Sequence, residues 1–232
     1  MSWRTNALVV GARSVGRTLG LNRWIASWRS TVGYEARYDK RFSEVLRPGD
    51  CVWDVGANVG YYTRLFSERI TDRGMVCAFE PSPVNFARLS GACIGLGNVR
   101  MLQVGLGREN GRLFFQQGAD ELGATSRVIG NAPGGEAVDI RTGRSLINDG
   151  DAPTPDAIKI DVEGYEYEVL DGLGEYLGAP SLRAIGVEVH FGILKERGMD
   201  NTPKQIEELL ARHGFVVDWP DSSHILATRR GR

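Results

Sequence analysis

Short apolar runs alternate with amphipathic stretches along most of this chain. "CVWDV" (51–55), "MVCAF" (75–79), "VRMLQVGL" (99–106), "AIKIDV" (157–162), "AIGVEV" (184–189), "FVVDW" (215–219) and "HILAT" (224–228) predict strands. Between them, "GYYTRLFSERI" (60–70), "PVNFARLSGACIGL" (83–96) and "EYEVLDGLGEYL" (166–177) set apolar residues at helical spacing. Such alternation predicts an α/β fold, with a mostly parallel sheet covered by helices on both faces. Ser82 before Pro83 reads as an N-cap with proline at N1. Thr202-Pro203-Lys204-Gln205 reads as a capped start with a capping-box Gln, and Gly214 as the stop. "PDSS" (220–223), between the last two strands, predicts an antiparallel hairpin at the sheet edge. The segment 107–150 is rich in Gly, Asn and Asp, with one strand-like piece, "RLFFQQ" (112–117). It reads as an insertion or mobile loop region, a kind of segment that often carries substrate contacts.

Composition narrows this picture. A chain of 232 residues suits one domain with a sizeable core. Hydrophobic residues at 42% and charged residues at 25% argue against a wholly disordered chain. A net charge of −1 gives no global case for a nucleic-acid partner. Cys51, Cys77 and Cys93 show no zinc spacing, and Cys51 and Cys77, in apolar strand-like runs, read as buried free thiols in a reducing cytoplasm. No apolar run approaches the ~20 residues that span a bilayer.

Residues 1–34 differ from the domain expected over 35–232. They hold Arg4, Arg13, Arg17, Arg23 and Arg29 among Trp3, Trp24 and Trp28, with no acid before Glu35. "ALVVGA" is too short for a signal peptide. A cap over the active site or a homodimer contact is the favoured reading, ahead of a helix lying on a membrane surface.

The chemistry begins at "VWDVGANVGYYT" (52–63), where a strand hands over to a helix. It is not a dinucleotide fingerprint, because Asn58 stands where the middle glycine would be. It is not a P-loop either, since no Gly-Lys-Ser/Thr follows. Asp54 at the strand end would repel phosphate and suit a cationic ligand. An uncharged adenosine carrying a sulfonium and an amino group fits better, which describes S-adenosylmethionine. Glu80 ends the next strand, where a carboxylate can accept both ribose hydroxyls.

"VWDVGANVGYYT", "FEPSP", "IKIDVEGYEYEVLDG" and "VEVH" occur in order, and this set resembles the FkbM-type methyltransferases, class I S-adenosylmethionine-dependent enzymes. The resemblance covers roughly residues 35 to 230. It implies a Rossmann-like seven-stranded sheet in the order 3-2-1-4-5-7-6, with strand 7 antiparallel. It also implies O-methylation of a small-molecule hydroxyl, on a sugar, a polyketide or another secondary metabolite. The candidate cofactor contacts are Asp54, Gly56, Asn58, Gly60, Tyr61, Thr63, Glu80, Leu106 and Asp161.

Ligands of an open parallel sheet sit beyond the carboxyl ends of its strands, so Asp161, Glu163, Glu188 and His190 should face the pocket rim. An alcohol is a weak nucleophile, and His190 or Asp161 is the candidate base, with Glu188 beside them. A divalent cation held by these oxygens is the alternative device. Glu166 and Glu168 read as a solvated helix face, Glu163 as a helix cap, His213 as a helix C-terminal residue, and His224 as carrying no functional signal. Competing functions are a nucleic-acid or protein methyltransferase and a non-catalytic cofactor-binding scaffold. "DVEGYE" lacks the Pro-Pro-aromatic motif of amino-methylating nucleic-acid enzymes, and no cysteine follows a proline.

Overall fold

The computed structural model describes residues 37–116, 127–130 and 136–229. The expectations for residues 1–34 lie outside the described residues. A helix, α1 (37–45), precedes β1 (Cys51–Val55), α2 (Tyr61–Ile70), β2 (Met75–Phe79), α3 (Pro83–Ala92) and β3 (Val99–Leu102). After an excursion come β8 (Ala157–Ile160), α5 (Glu166–Gly172), β9 (Ala184–Glu188), α6 (Phe191–Glu196), α7 (Thr202–Arg212), β10 (Val216–Asp218) and β11 (His224–Thr228).

These seven strands form one sheet ordered β3-β2-β1-β8-β9-β11-β10. Numbered among themselves, the order is 3-2-1-4-5-7-6. β11 runs antiparallel to both neighbours and the other pairings are parallel. Side chains of a strand alternate between faces, and here the alternation divides the core. Trp53, Ile158, Ile160, Ile185 and Val187 pack with Leu170 of α5 and Ile206 and Leu210 of α7. Val52, Val76, Ala157 and Ala184 pack on the opposite face with Tyr38 and Phe42 of α1 and Phe66 and Ile70 of α2.

The α1 face is not apolar throughout. Asp54 pairs in register with Lys159, and Lys159 with Gly186, giving a polar row across the middle of the sheet. Gly186 is required there, because a Cβ would overlap the Tyr38 hydroxyl. One row further along, Glu188 pairs with His224, and Asp161 follows the end of β8.

The excursion 107–150 corrects the loop expectation. It contributes most of a second sheet ordered β4-β7-β5-β6, from β4 (Gly105–Leu106), β5 (Gly111–Gln116), β6 (Arg127–Gly130) and β7 (Glu136–Arg141), followed by α4 (Gly143–Asn148). Gly172 of α5 lies so close to it that a Cβ would overlap the Gly107 carbonyl. Arg108 bonds Asp171 at 2.7 Å across the same contact. The apparent single strand 99–106 is therefore broken, with its last two residues passing to the second sheet.

Ser82 caps α3 as expected, accepting from the Asn85 amide at 3.4 Å. Thr202 does not cap α7: Asn201 holds that position, and no side chain caps it. Gly214 follows the helix at φ +84°. Cys77 and Cys93 are buried and Cys51 is half-buried, all as free thiols. Among the described residues, no helix is long and apolar enough to cross a membrane.

Candidate active site

A cavity of about 420 Å³ opens where the two sheets meet, within the range of ligand pockets. Val55, Phe79, Leu106, Ile140 and Val162 give it apolar walls, while Gly56, Asn58, Glu80, Asn85, Asp161 and Glu163 supply polar groups. The second sheet adds the run from Gly105 to Leu113.

The turn after β1 is shaped by close approach. Gly56 has φ +81°, and a Cβ on it would overlap the Asp161 carbonyl oxygen. Asn58 is held at φ +50°, a conformation that is uncommon outside glycine and clusters at functional sites. Its amide donates to Glu80 Oε2 at 2.9 Å, while its own buried Oδ1 has no partner among the described residues. Glu80 Oε1 accepts from the Ser82 amide at 2.9 Å. Burial pushes the Glu80 carboxyl up to about 7, against the pull of the Ser82 and Asn58 amides. Each carboxylate oxygen keeps a further lone pair. An unsatisfied amide oxygen, a carboxylate with spare acceptors and apolar walls match an adenosine's amino group, ribose hydroxyls and ring.

Not every expected cofactor residue reaches the cavity. Asp54 is wholly buried beneath the wall, bonded by the Thr63 hydroxyl at 2.6 Å, with Lys159 Nζ 4.0 Å away. Burial raises its carboxyl, with Lys159 and Thr63 opposing. Gly60 makes the α2 turn at φ +88° against Leu89, and Tyr61 is half-exposed; neither they nor Thr63 line the cavity.

Beyond Asp161 lies the second half of the site. Lys159, buried within β8, bonds Asp161 Oδ2 at 3.0 Å and sits 4.3 Å from the Tyr62 ring centroid. His190 Nε2 is 3.6 Å from Asp161 Oδ1 and 4.0 Å from Glu163 Oε1. His190 Nδ1 meets Glu166 Oε1 at 2.7 Å. Burial alone would lower the imidazole, but the Glu166 hydrogen bond and the charges of Asp161, Glu166 and Glu163 outweigh it and hold His190 at about 9. In this geometry it carries a proton at neutral pH, so acting as a base would first require that proton to leave.

Three further expectations change. Glu166 is fully buried against His190 and the Gly164 amide, and Glu168 is largely buried against Arg197 at 3.2 Å, so neither belongs to a solvated face. Glu163 does not cap α5; it sits at φ +54° on the cavity wall. His224 is buried, with Nδ1 2.9 Å from Asp221 and Nε2 3.6 Å from Glu188, so it belongs to the site's surroundings. His213 ends α7 as expected, with Nδ1 2.9 Å from the Leu209 carbonyl. Lys159, Tyr38 and Asn85 went unread in the sequence. Lysine inside a central strand was the one available signal, because such a charge must find partners.

The family model for the methyltransferase FkbM domain matches residues 54–217. This chain belongs to the FkbM methyltransferase family. The FkbM domain is 32% identical over 169 residues to hexuronic acid methyltransferase AglP of Haloferax volcanii, covering 72% of this chain and 64% of that protein. It is 30% identical over 203 residues to 31-O-demethyl-FK506 methyltransferase FkbM of Streptomyces tacrolimicus, covering 74% of this chain and 75% of that protein. In fold, it resembles SMU.1697c of Streptococcus mutans in complex with SAH (TM-score 0.52, 13% identity, 82% of this chain and 93% of that one). It likewise resembles precorrin-6y C5,15-methyltransferase of Geobacter metallireducens (TM-score 0.51, 16% identity, 84% and 88%).

Proposed function

We propose that this FkbM-family protein is an S-adenosylmethionine-dependent O-methyltransferase acting on a hydroxyl of a small molecule, a sugar or glycoside or a polyketide-type metabolite. The observation that carries the reading is the cavity itself. Glu80 and Asn58 offer acceptors beside apolar walls at one end, and Asp161 and Glu163 line the other. When bound, S-adenosylmethionine supplies a methyl group on a sulfonium, an electrophile open to in-line displacement. The chain's own task is to hold the acceptor oxygen in line and to receive its proton.

Glu80 would take the ribose hydroxyls, and Asn58 Oδ1 would accept from a donor of the ligand. Val55, Phe79 and Leu106 would exclude water from the ring. Asp161 or Glu163, both on the cavity wall, would receive the acceptor's proton, while Lys159 would keep Asp161 oriented. Two relatives are named as a hexuronic acid methyltransferase and a 31-O-demethyl-FK506 methyltransferase, which supports a small-molecule acceptor.

The test is calorimetry with S-adenosylmethionine and S-adenosylhomocysteine, followed by mass analysis of hexuronosides, neutral glycosides and polyketide alcohols incubated with labelled cofactor. A methylated hydroxyl is the expected product. Binding of NAD in place of the adenosyl ligands would sink the cofactor reading. Methylation of RNA or protein alone would sink the acceptor reading, and tight binding without turnover on any acceptor would mark a scaffold.

A further inference from the structure

The carboxyl ends of β8 and β9 carry more organisation than a methyl-transfer site of carboxylates alone requires. Ligand atoms of Asp161, Glu188 and His190 all lie within 4.8 Å of one another. All three side chains are partly exposed. Asp161 presents one oxygen to it, since Oδ2 is bonded to Lys159 while Oδ1 faces His190 Nε2.

The surroundings are built as the outer shell of a metal centre is built. A ligating histidine usually has its second ring nitrogen hydrogen-bonded to a carboxylate, which fixes the ring and turns the other nitrogen to the ion. His190 has this arrangement, with Nδ1 on the fully buried Glu166 and Nε2 toward Asp161. Glu188 is steadied in turn by His224, itself held by Asp221.

A second observation comes from α1. The Tyr38 hydroxyl is buried and has no hydrogen-bond partner among the described residues. Its ring stacks on His224 with centroids 4.3 Å apart, and the hydroxyl lies over Gly186, two residues before Glu188 on β9. Gly186 and Glu188 stand two residues apart on β9 and so share a sheet face, and a water of a hydrated ion at the trio is the kind of partner this buried hydroxyl lacks among the described residues.

We propose that Asp161, Glu188 and His190 bind one divalent cation at the cavity's inner edge. Two carboxylates and an imidazole suit Mn²⁺ and its first-row neighbours better than Ca²⁺, which takes oxygen ligands. Asp161 belongs to both halves of the site, so the ion lies where the acceptor hydroxyl is received, and the inference rests on the proposed function for that role. Glu166 and His224 are positioning residues. Binding exchanges the imidazolium proton for the ion.

The test uses the full chain, stripped of metal, titrated with Mn²⁺ and followed by electron paramagnetic resonance. One ion per chain is expected, with ¹⁴N coupling from an imidazole in the pulsed spectrum. Glu188→Gln and His190→Gln should each weaken Mn²⁺ by about ten-fold or more, and Glu166→Gln by about 10–100-fold through ring orientation. His190→Gln should also lose the ¹⁴N signal. Absence of Mn²⁺ binding at millimolar concentration would overturn the proposal, as would a wild-type complex without ¹⁴N coupling, which needs no variant to fold. S-adenosylhomocysteine calorimetry on the same samples separates the two readings. Adenosyl binding without Mn²⁺ binding ends the ion site alone, and Mn²⁺ binding without adenosyl binding ends the cofactor assignment alone.

Discussion

The two halves of the site are made in opposite ways, and of the second half's charged groups Asp161 and Glu163 line the cavity while Glu188, His190 and His224 stand behind them. The half around Gly56, Asn58 and Glu80 is assembled from one turn and the strand next to it, and its hydrogen bonds are mostly from backbone amides. The half around Asp161 draws on β8, β9, the turn before α5 and the start of β11, and its partners are charged side chains. A local backbone cradle recognises a ligand through shape and a few acceptors. A convergent cluster of charges acts on protons and cations. If that division is right, substitutions in the second half must strike turnover, and those in the first must strike binding.

The largest effect is therefore expected at Asp161. Asp161→Asn keeps the shape but removes the charge that faces both the cavity and His190, and kcat should fall by about 10²–10⁴-fold. Steady-state rates on the acceptor found by mass analysis decide this. An unchanged kcat would erase the distinction between the halves.

Glu80→Ala comes next. It deletes acceptors for the ribose, at roughly 1.5–3 kcal/mol for each charge-assisted bond lost. It also strips the Asn58 and Ser82 amides of their partner, so the cradle should loosen. S-adenosylhomocysteine affinity by calorimetry should drop while Mn²⁺ binding stays close to wild type. Unaltered affinity would show that the ribose lies elsewhere.

How visible each half was from the residues follows from the same contrast. The turn after β1 is contiguous, so Gly56, Asn58 and the strand-end Glu80, which line the cavity, stand out in the sequence by spacing. The main sheet was equally open, because buried parallel strands leave long apolar runs such as "AIKI" and "AIGVE". The second sheet was mostly hidden: "RLFFQQ" stood out as strand-like and is β5, but β4 is two residues long and β7 alternates too weakly to rise above the glycine and asparagine around it. Glu166 was misread because an acid in a first helical turn is ordinarily solvated; only the fold brings His190 against it. His224 was passed over because its partner Glu188 is on another strand, paired through antiparallel register.

Gly186 sharpens the comparison on the α1 side, in the packing that supports the charged half. Gly186→Ala should push the Tyr38 ring and α1 off the sheet, and overpacking of this kind costs about 1–3 kcal/mol. Thermal unfolding should record the loss in the unliganded protein. A variant as stable as wild type would mean that Tyr38 can leave its seat without cost, and the row beneath α1 would not need its glycine.

The smallest expected effect is the most specific to the cradle. Burial raises the Glu80 carboxyl from 4.5 to about 7, with the Ser82 and Asn58 amides opposing. The folded, unliganded protein therefore binds more protons than the unfolded chain between those values, and this group's contribution to stability falls as pH rises through that window. A ribose diol donates to the ionised carboxylate, so ligand binding favours the deprotonated form and releases a proton below about pH 7. Affinity for S-adenosylhomocysteine should then weaken as pH falls from 8 to 6, approaching ten-fold per unit at the acid end, about 1.4 kcal/mol. Calorimetry in two buffers of different ionisation enthalpy counts the released proton directly. Glu80→Gln should flatten the profile, because an amide cannot ionise. A wild-type affinity constant across this range would mean that the two amides already hold Glu80 ionised before the ligand arrives, and that the cradle recognises the ribose without a proton being displaced.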